Sequence, residues 1–167
     1  LGPIGGLGGR AANNLAKETD LAICVGTKLA DFTTGSWANF ENPEFKLVSI
    51  NIARHDANKH LAEAVIGDAK VCLSELSNSL GNWKSPDSWH KKSQDELKSW
   101  NEYVDKESGP TNQETPSYAH AVGAIYRNSD PTDIAVTAAG GLVGEVVQVW
   151  RPKELNTHET EWGFSCM

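Results

Sequence analysis

The chain has 167 residues, 39% hydrophobic and 22% charged, enough to bury a core and ordinary for a water-soluble fold. Fifteen Lys and Arg against 22 Asp and Glu leave a net charge of −7; the basic residues are scattered, which excludes a nucleic-acid surface as the organising feature. No apolar run approaches the ~20 residues of a membrane span, and Leu1-Gly2-Pro3 opens without the basic region and long apolar core of a signal peptide.

Residues 2–9, Gly-Pro-Ile-Gly-Gly-Leu-Gly-Gly, read as a flexible surface turn leading into a helix. Gly5-x-Leu7-x-x-Arg10 is not a dinucleotide fingerprint, since no strand precedes it and no third Gly follows. Ala11, Ala12, Leu15 and Ala16 predict a helix over residues 10–17. Leu21-Ala22-Ile23-Cys24-Val25, ended by Gly26, has the composition of a parallel strand buried on both faces. Asp31-Phe32-Thr33-Thr34-Gly35-Ser36-Trp37 follows as a polar loop at that strand's carboxyl end, the edge where open α/β sheets bind ligands. Residues 47–52 and 64–66 are two more apolar strands, the second ended by Gly67-Asp68. Asp68 is placed to cap a helix over 69–80, with Val71, Cys72, Leu76 and Leu80 at helical spacing. Strand, loop, strand, short strand and helix form the second half of a Rossmann-like unit, so a bare sheet edge is expected.

Residues 87–106 predict a polar helix with one apolar stripe, Leu97, Trp100 and Val104. Residues 108–116 read as an interdomain linker. Tyr118, Ala121, Val122, Ile125 and Tyr126 predict the next helix. Ile134-Ala135-Val136 is then a short strand that opens into Thr137-Ala138-Ala139-Gly140-Gly141 and an amphipathic helix over 142–150. A strand that ends in small residues and turns straight into a helix presents backbone N–H groups to a phosphate. The apolar and small residues at 161–167, with no polar tail, read as a chain cut in mid-domain, and Leu1 as an internal start.

Cys24, Cys72 and Cys166 have no C-x-x-C spacing, so Cys24 reads as a buried small hydrophobe and the compartment as reducing and cytosolic. No residue set has metal-ligand spacing. Among the histidines, His55 and His60 read as solvated surface, and His120 as outward-facing or a neutral core group. His158, close to Glu159 and Glu161, is the active-site candidate.

In order and separation these segments resemble the thiamine-diphosphate enzymes of the acetolactate synthase superfamily. Thr19-Asp20-Leu21, Gly26, Asp31, Thr34 and Gly35 match that family's central-domain pattern, followed by residues 47–52 and Gly67-Asp68-Ala69-Lys70. Within the superfamily the residues are similar to the branch that opens a cyclic dione in myo-inositol breakdown. The distinctive sets are residues 31–37, residues 138–145 with Trp150, and Glu161-x-Gly163-Phe164-Ser165-Cys166-Met167. Acetolactate synthases carry Gly-Gln-His where this chain has Gly141-Leu142-Val143, and Gly-Leu-Gly-Ala-Met where it has residues 163–167.

The resemblance implies an α/β fold: a Rossmann-like parallel sheet from a central domain over residues 1–82, a helical linker over 83–116, and the start of a second α/β domain, which binds the cofactor diphosphate, over 117–167. It implies a hydrolase that opens the ring of a trihydroxycyclohexane-1,2-dione to 5-deoxy-glucuronate, with thiamine diphosphate and Mg²⁺ as cofactors and a homo-oligomer as the full-length assembly. Gly141, Leu142 and Val143 sit where the family contacts the diphosphate, and the last two can offer only backbone N–H groups. Ser165 sits where a backbone carbonyl meets the aminopyrimidine, and Met167 where an apolar side chain wedges under the bent cofactor. Glu161 and His158 are the possible catalytic groups. Asn51, together with a loop at 27–32 that lacks the family's Arg, argues against FAD. The family's activating Glu belongs to an N-terminal domain, and its Mg²⁺ motif, Gly-Asp-Gly followed by Asn, is not found in this sequence, so this chain alone is expected to be inactive. Two other readings are a carboligase of the acetolactate synthase or glyoxylate carboligase type, and a non-catalytic Rossmann-like binding module.

Overall fold

In the computed structural model of the chain, which describes residues 1–138 and 140–160, the apolar runs of the first half pair side by side. β1 (Leu21–Val25), β2 (Lys46–Asn51) and β3 (Glu63–Ile66) form a three-stranded parallel sheet in that order. Val25, Ile50 and Val65 lie opposite one another as one cross-strand row. The α/β class and the parallel pairing are those expected from the sequence.

Burial of β1 is not. Leu21, Ile23 and Val25, which share one face by alternation, all lie exposed, and among the described residues β1 pairs only with β2. An apolar run shows that a strand tolerates cover, whereas the covering layer has to come from elsewhere. The central strand β2 carries most of the burial in this sheet, with Leu47, Ser49, Ile50 and Asn51 all buried. Ser49 is 1% exposed, and its Oγ has no hydrogen-bond partner among the described residues. An unpartnered buried hydroxyl costs about 1–3 kcal/mol, so Ser49→Ala is expected to raise stability by about 1 kcal/mol in urea unfolding. A comparable loss of stability would show that the hydroxyl does have a partner.

α1 (Arg10–Glu18) turns Ala11, Ala12, Leu15 and Ala16 inward, as its spacing predicts. α2 (Asp31–Thr34) is a single turn inside the loop after β1. α3 (Arg54–Ala57) and a 3-10 turn (Lys59–Leu61) fill the crossover from β2 to β3. α4 (Ala69–Leu80) starts at Asp68, whose carboxylate accepts from the Lys70 and Val71 N–H groups at 2.9 and 3.1 Å. Its apolar residues Val71, Leu73 and Leu80 are exposed, so α4 contributes little core.

The glycine-rich stretch is a built loop rather than a flexible turn. Gly5 N–H donates to Asn13 Oδ1 at 2.8 Å, and Asn13 Nδ2 returns a bond to the Gly5 carbonyl at 3.1 Å. Asn39 Nδ2 donates to the same Asn13 Oδ1 at 3.0 Å, and Gly6 N–H donates to the Phe32 carbonyl at 2.8 Å.

In the second half, β4 (Ala135–Thr137) and β5 (His158–Thr160) form a two-stranded parallel sheet, flanked by α6 (Tyr118–Asn128) and α7 (Gly141–Val149). α5 (Asp87–Glu107) connects the halves by packing on both. Toward α1, Asn14 Nδ2 donates to Glu96 Oε2 at 3.1 Å, Lys92 pairs with Glu18, and the Arg10 guanidinium lies 5.1 Å from the Tyr103 ring centre. Toward α6 and α7, Val104 is buried in one cluster with Val122, Val146 and Val149, and Trp100 and Trp150 pack against it. The buried face of α6 is rotated from the predicted stripe. Val122 and Gly123 point inward, whereas Tyr118 and Ile125 are exposed, because α6 comes closest to α5 at Gly123.

Candidate functional site

β4 ends at Thr137, and α7 begins four residues later at Gly141. Between them Gly140 adopts φ 120°, ψ −176°, a conformation for glycine. Among the described residues nothing lies within 4 Å of where a Gly140 Cβ would stand. α7 has no capping side chain and no acidic residue in its first turn. Two other helices contrast with it. α4 is capped by Asp68, and α6 by a capping box in which Ser117 Oγ accepts from His120 N–H while His120 Nδ1 accepts from Ser117 N–H at 3.2 Å. That box is the role of His120, which is partly exposed.

The first N–H groups of α7 therefore have no capping side chain from Gly140 and no acceptor within their own helix, and the helix dipole adds a partial positive charge at the same point. Gly141, Leu142 and Val143 all fall in this first turn. The Val143 side chain is buried and the Leu142 side chain is partly exposed, so the polar groups at the helix entrance are backbone ones. Three of the proposed site residues, Glu161, Ser165 and Met167, lie outside the described residues, as does Ala139 in the turn itself.

His158 is placed elsewhere. It is the first residue of β5, opposite Ala135, at the amino end of the small sheet, while the α7 N-terminus follows the carboxyl end. Its Nε2 lies 3.0 Å from Thr160 Oγ1, which is in turn 3.0 Å from Thr137 Oγ1. His158 thus begins β5 at the end away from the α7 turn, with the Thr160 and Thr137 hydroxyls between its ring and the end of β4.

The loops around the large sheet, whose carboxyl edge is the other ligand edge expected from the sequence, carry an aromatic cluster. Trp37 stacks on His60 at 4.2 Å between ring centres, and Phe40 stacks on Phe45 at 4.6 Å. His60 is exposed but not merely solvated, since its Nε2 lies 3.2 Å from the Leu29 carbonyl. Leu29, Ser36, Trp37, His60 and Leu61 all hold φ between 48° and 72°, a concentration of left-handed non-glycine residues that a surface loop would ordinarily avoid. Asn51, at the strand position that bears on FAD, is buried; its Nδ2 donates to the Thr27 carbonyl at 3.2 Å and its Oδ1 accepts from Ala53 N–H at 2.9 Å. That side chain is spent on holding two loops. Cys24 is half-buried, and burial pushes its thiol pKa up, away from nucleophile chemistry. Among the described residues no three His, Cys, Asp or Glu side chains gather as a metal site, and no helix is long and apolar enough to cross a membrane.

Residues 1–76 match the family model of the thiamine pyrophosphate enzyme central domain. Over its whole length the chain is similar to proteins named 3D-(3,5/4)-trihydroxycyclohexane-1,2-dione hydrolase. Identity is 32% with that of Clostridium perfringens strain 13, 33% with that of Clostridium botulinum strain Eklund 17B and 34% with that of Bacillus anthracis. Each alignment covers 100% of this chain and 30% of the relative, so the chain spans 30% of the length of the curated relatives it matches. The order of strands, loops and capped helix that suggested a thiamine-diphosphate enzyme thus coincides with the family match, and residues 1–76 are similar to the central domain of thiamine pyrophosphate enzymes.

Proposed function

We propose that this chain is part of a thiamine-diphosphate-dependent hydrolase that opens the ring of 3D-(3,5/4)-trihydroxycyclohexane-1,2-dione to 5-deoxy-glucuronate, and that the α7 N-terminus receives the cofactor's diphosphate. The uncapped first turn of α7 after Gly140 carries this reading, and the names of the relatives support the choice of substrate. Residues 1–82 then belong to the central domain, 83–116 to the bridging segment, and 117–167 to the start of the diphosphate-binding domain.

The turn fits a diphosphate. Gly140 and Gly141 bring no side chain, the first turn of α7 has no carboxylate of its own, and the N–H groups of Gly141, Leu142 and Val143 are placed to donate to phosphate oxygens. When bound, the cofactor supplies the electron sink for carbon–carbon cleavage. This chain's described residues hold and orient its diphosphate end, with Val143, Val146 and Val149 anchoring the helix in the core. By resemblance, Ser165 and Met167 serve the aminopyrimidine end, and Glu161 stands on the substrate side. The Mg²⁺ that accompanies the diphosphate in this family finds no ligand set among the described residues. We further assign the full-length protein to the cytoplasm as a homo-oligomer; the open apolar face of Leu21, Ile23 and Val25 supports cover by further protein.

Leu142→Asp tests the diphosphate site. A carboxylate in the first turn favours the helix by about 0.3–1 kcal/mol but repels an anion at the same N–H groups. The expected result is an unchanged or raised Tm together with pyrophosphate affinity weakened at least about tenfold, about 1.4 kcal/mol, in calorimetric titration. Unchanged pyrophosphate affinity would remove α7 as the diphosphate site.

A further inference from the structure

The two glycines at the entrance to α7 share one described neighbour. No described atom stands within 4 Å of a Gly140 Cβ position. At Gly141 the single atom inside that distance, apart from the adjoining chain and its own helix, is Tyr118 Cε2, at 3.9 Å. Tyr118 is the first residue of α6, and the Ser117–His120 capping box fixes the backbone that carries it. The phenol oxygen is bonded to the ring carbon next to Cε2, so it lies within a few ångströms of the same point.

Core packing does not account for this placement. The sequence pattern puts Tyr118 on the apolar stripe of α6, yet its side chain is 62% exposed while Val122 and Gly123 take the buried face. Among the described residues no hydrogen bond engages its hydroxyl. A phenol O–H on a capped, rigid helix start therefore stands beside N–H groups that have no acceptor within their own helix. Donors gathered at one opening suit a ligand that only accepts, and hydrogen bonds to a charged acceptor are the stronger kind. Leu142 and Val143 have no polar side chain to offer there, so a side chain that adds a donor has to come from another element. We propose that Tyr118 is a further ligand-binding residue of the α7 entrance, its phenol O–H donating to an oxygen of the diphosphate held by the Gly141, Leu142 and Val143 N–H groups. This assignment rests on the diphosphate reading of α7 and adds α6 to that site.

The test uses pyrophosphate on the 167-residue chain. Tyr118→Phe keeps the ring and removes the donor, whereas Tyr118→Ala removes both. Calorimetric titration is expected to show affinity lowered at least about fivefold in both variants and to the same extent, with the Tm of Tyr118→Phe unchanged. With tyrosine labelled at the ring carbon that bears the oxygen, NMR reads Tyr103, Tyr118 and Tyr126 as three signals, and Tyr118→Phe identifies the one from Tyr118. Pyrophosphate is expected to move that signal and to leave the other two in place. Wild-type affinity in Tyr118→Phe, a loss confined to Tyr118→Ala, or a Tyr118 signal that stays fixed while pyrophosphate saturates would overturn the proposal and leave the α7 site standing. No pyrophosphate binding by the unmodified chain, or unchanged affinity in Leu142→Asp, would remove the diphosphate site and the role of Tyr118 with it.

Discussion

Gly5→Ala is expected to cost at least about 3 kcal/mol of stability, through two separate penalties on one methyl group. The first is conformational: Gly5 sits at φ +97°, where a side chain costs roughly 1–2 kcal/mol. The second is contact. A Cβ there would stand 1.8 Å from the Phe32 carbonyl oxygen and 2.7 Å from the Thr33 carbonyl carbon and oxygen. These are backbone atoms, so no rotamer change relieves them, and the Gly6 N–H bond to the Phe32 carbonyl holds the two segments together. Gly2→Ala supplies the control. Gly2 has φ +86° with nothing within 4 Å of its Cβ position, so that variant carries the strain alone, roughly 1–2 kcal/mol. Urea midpoints of both variants separate the terms. A Gly5→Ala loss equal to that of Gly2→Ala would mean that the glycine-rich loop does not dock on α2.

That loop also shows where reading a sequence stops. Its composition is that of a flexible turn, and nothing between residues 2 and 9 contradicts the reading. Order comes from Asn13 and Asn39, 8 and 26 residues apart from their partners. Polar side chains with distant partners leave no local signal. β1, β2 and β3 were legible because apolar runs ended by Gly26 or by Gly67-Asp68 carry strand and stop together, and α5 because Leu97, Trp100 and Val104 recur at helical spacing. β5 was not, since His158-Glu159-Thr160 has no apolar character; it pairs by its backbone and by the Thr137–Thr160 hydroxyl contact.

The candidate site divides in the same way. The Gly140-Gly141 turn and the helix after it were readable from small residues following an apolar strand, and the bare α7 N-terminus is a local property of that stretch. The place of His158 depended on which end of an unseen strand it occupied. Proximity in sequence to Glu159 and Glu161 could not supply that, and the register puts His158 opposite Ala135, away from the turn.

Gly123→Ala is expected to destabilise by about 2–4 kcal/mol, the reverse of what the same change does in an open helix. In an exposed helix interior, Gly→Ala gains roughly 0.8–1 kcal/mol. On α6 the added Cβ would stand 2.1 Å from the Ser108 carbonyl oxygen and 2.7 Å from Ser108 Cβ. Ser108 cannot withdraw, since its carbonyl accepts from Arg127 Nη1 at 2.5 Å and its Oγ donates to the Val104 carbonyl at 2.7 Å. Relief therefore requires α6 to move from the end of α5, which opens the Val104–Val122 contact in the shared cluster. Ser108→Gly added to Gly123→Ala removes the Cβ contact and leaves the carbonyl contact, so only part of the loss is expected to return. A stabilised Gly123→Ala in urea unfolding would mean that the two helices do not approach closely here. The same displacement reaches the proposed diphosphate site. α7 shares the valine cluster with α6, and on another side Leu7 of the glycine-rich loop lies 3.4 Å from where a Gly144 Cβ would stand. Gly123→Ala disturbs α7 through the cluster and Gly5→Ala through Leu7. Each is therefore expected to weaken pyrophosphate binding in the fraction that remains folded, while Gly2→Ala leaves it unchanged.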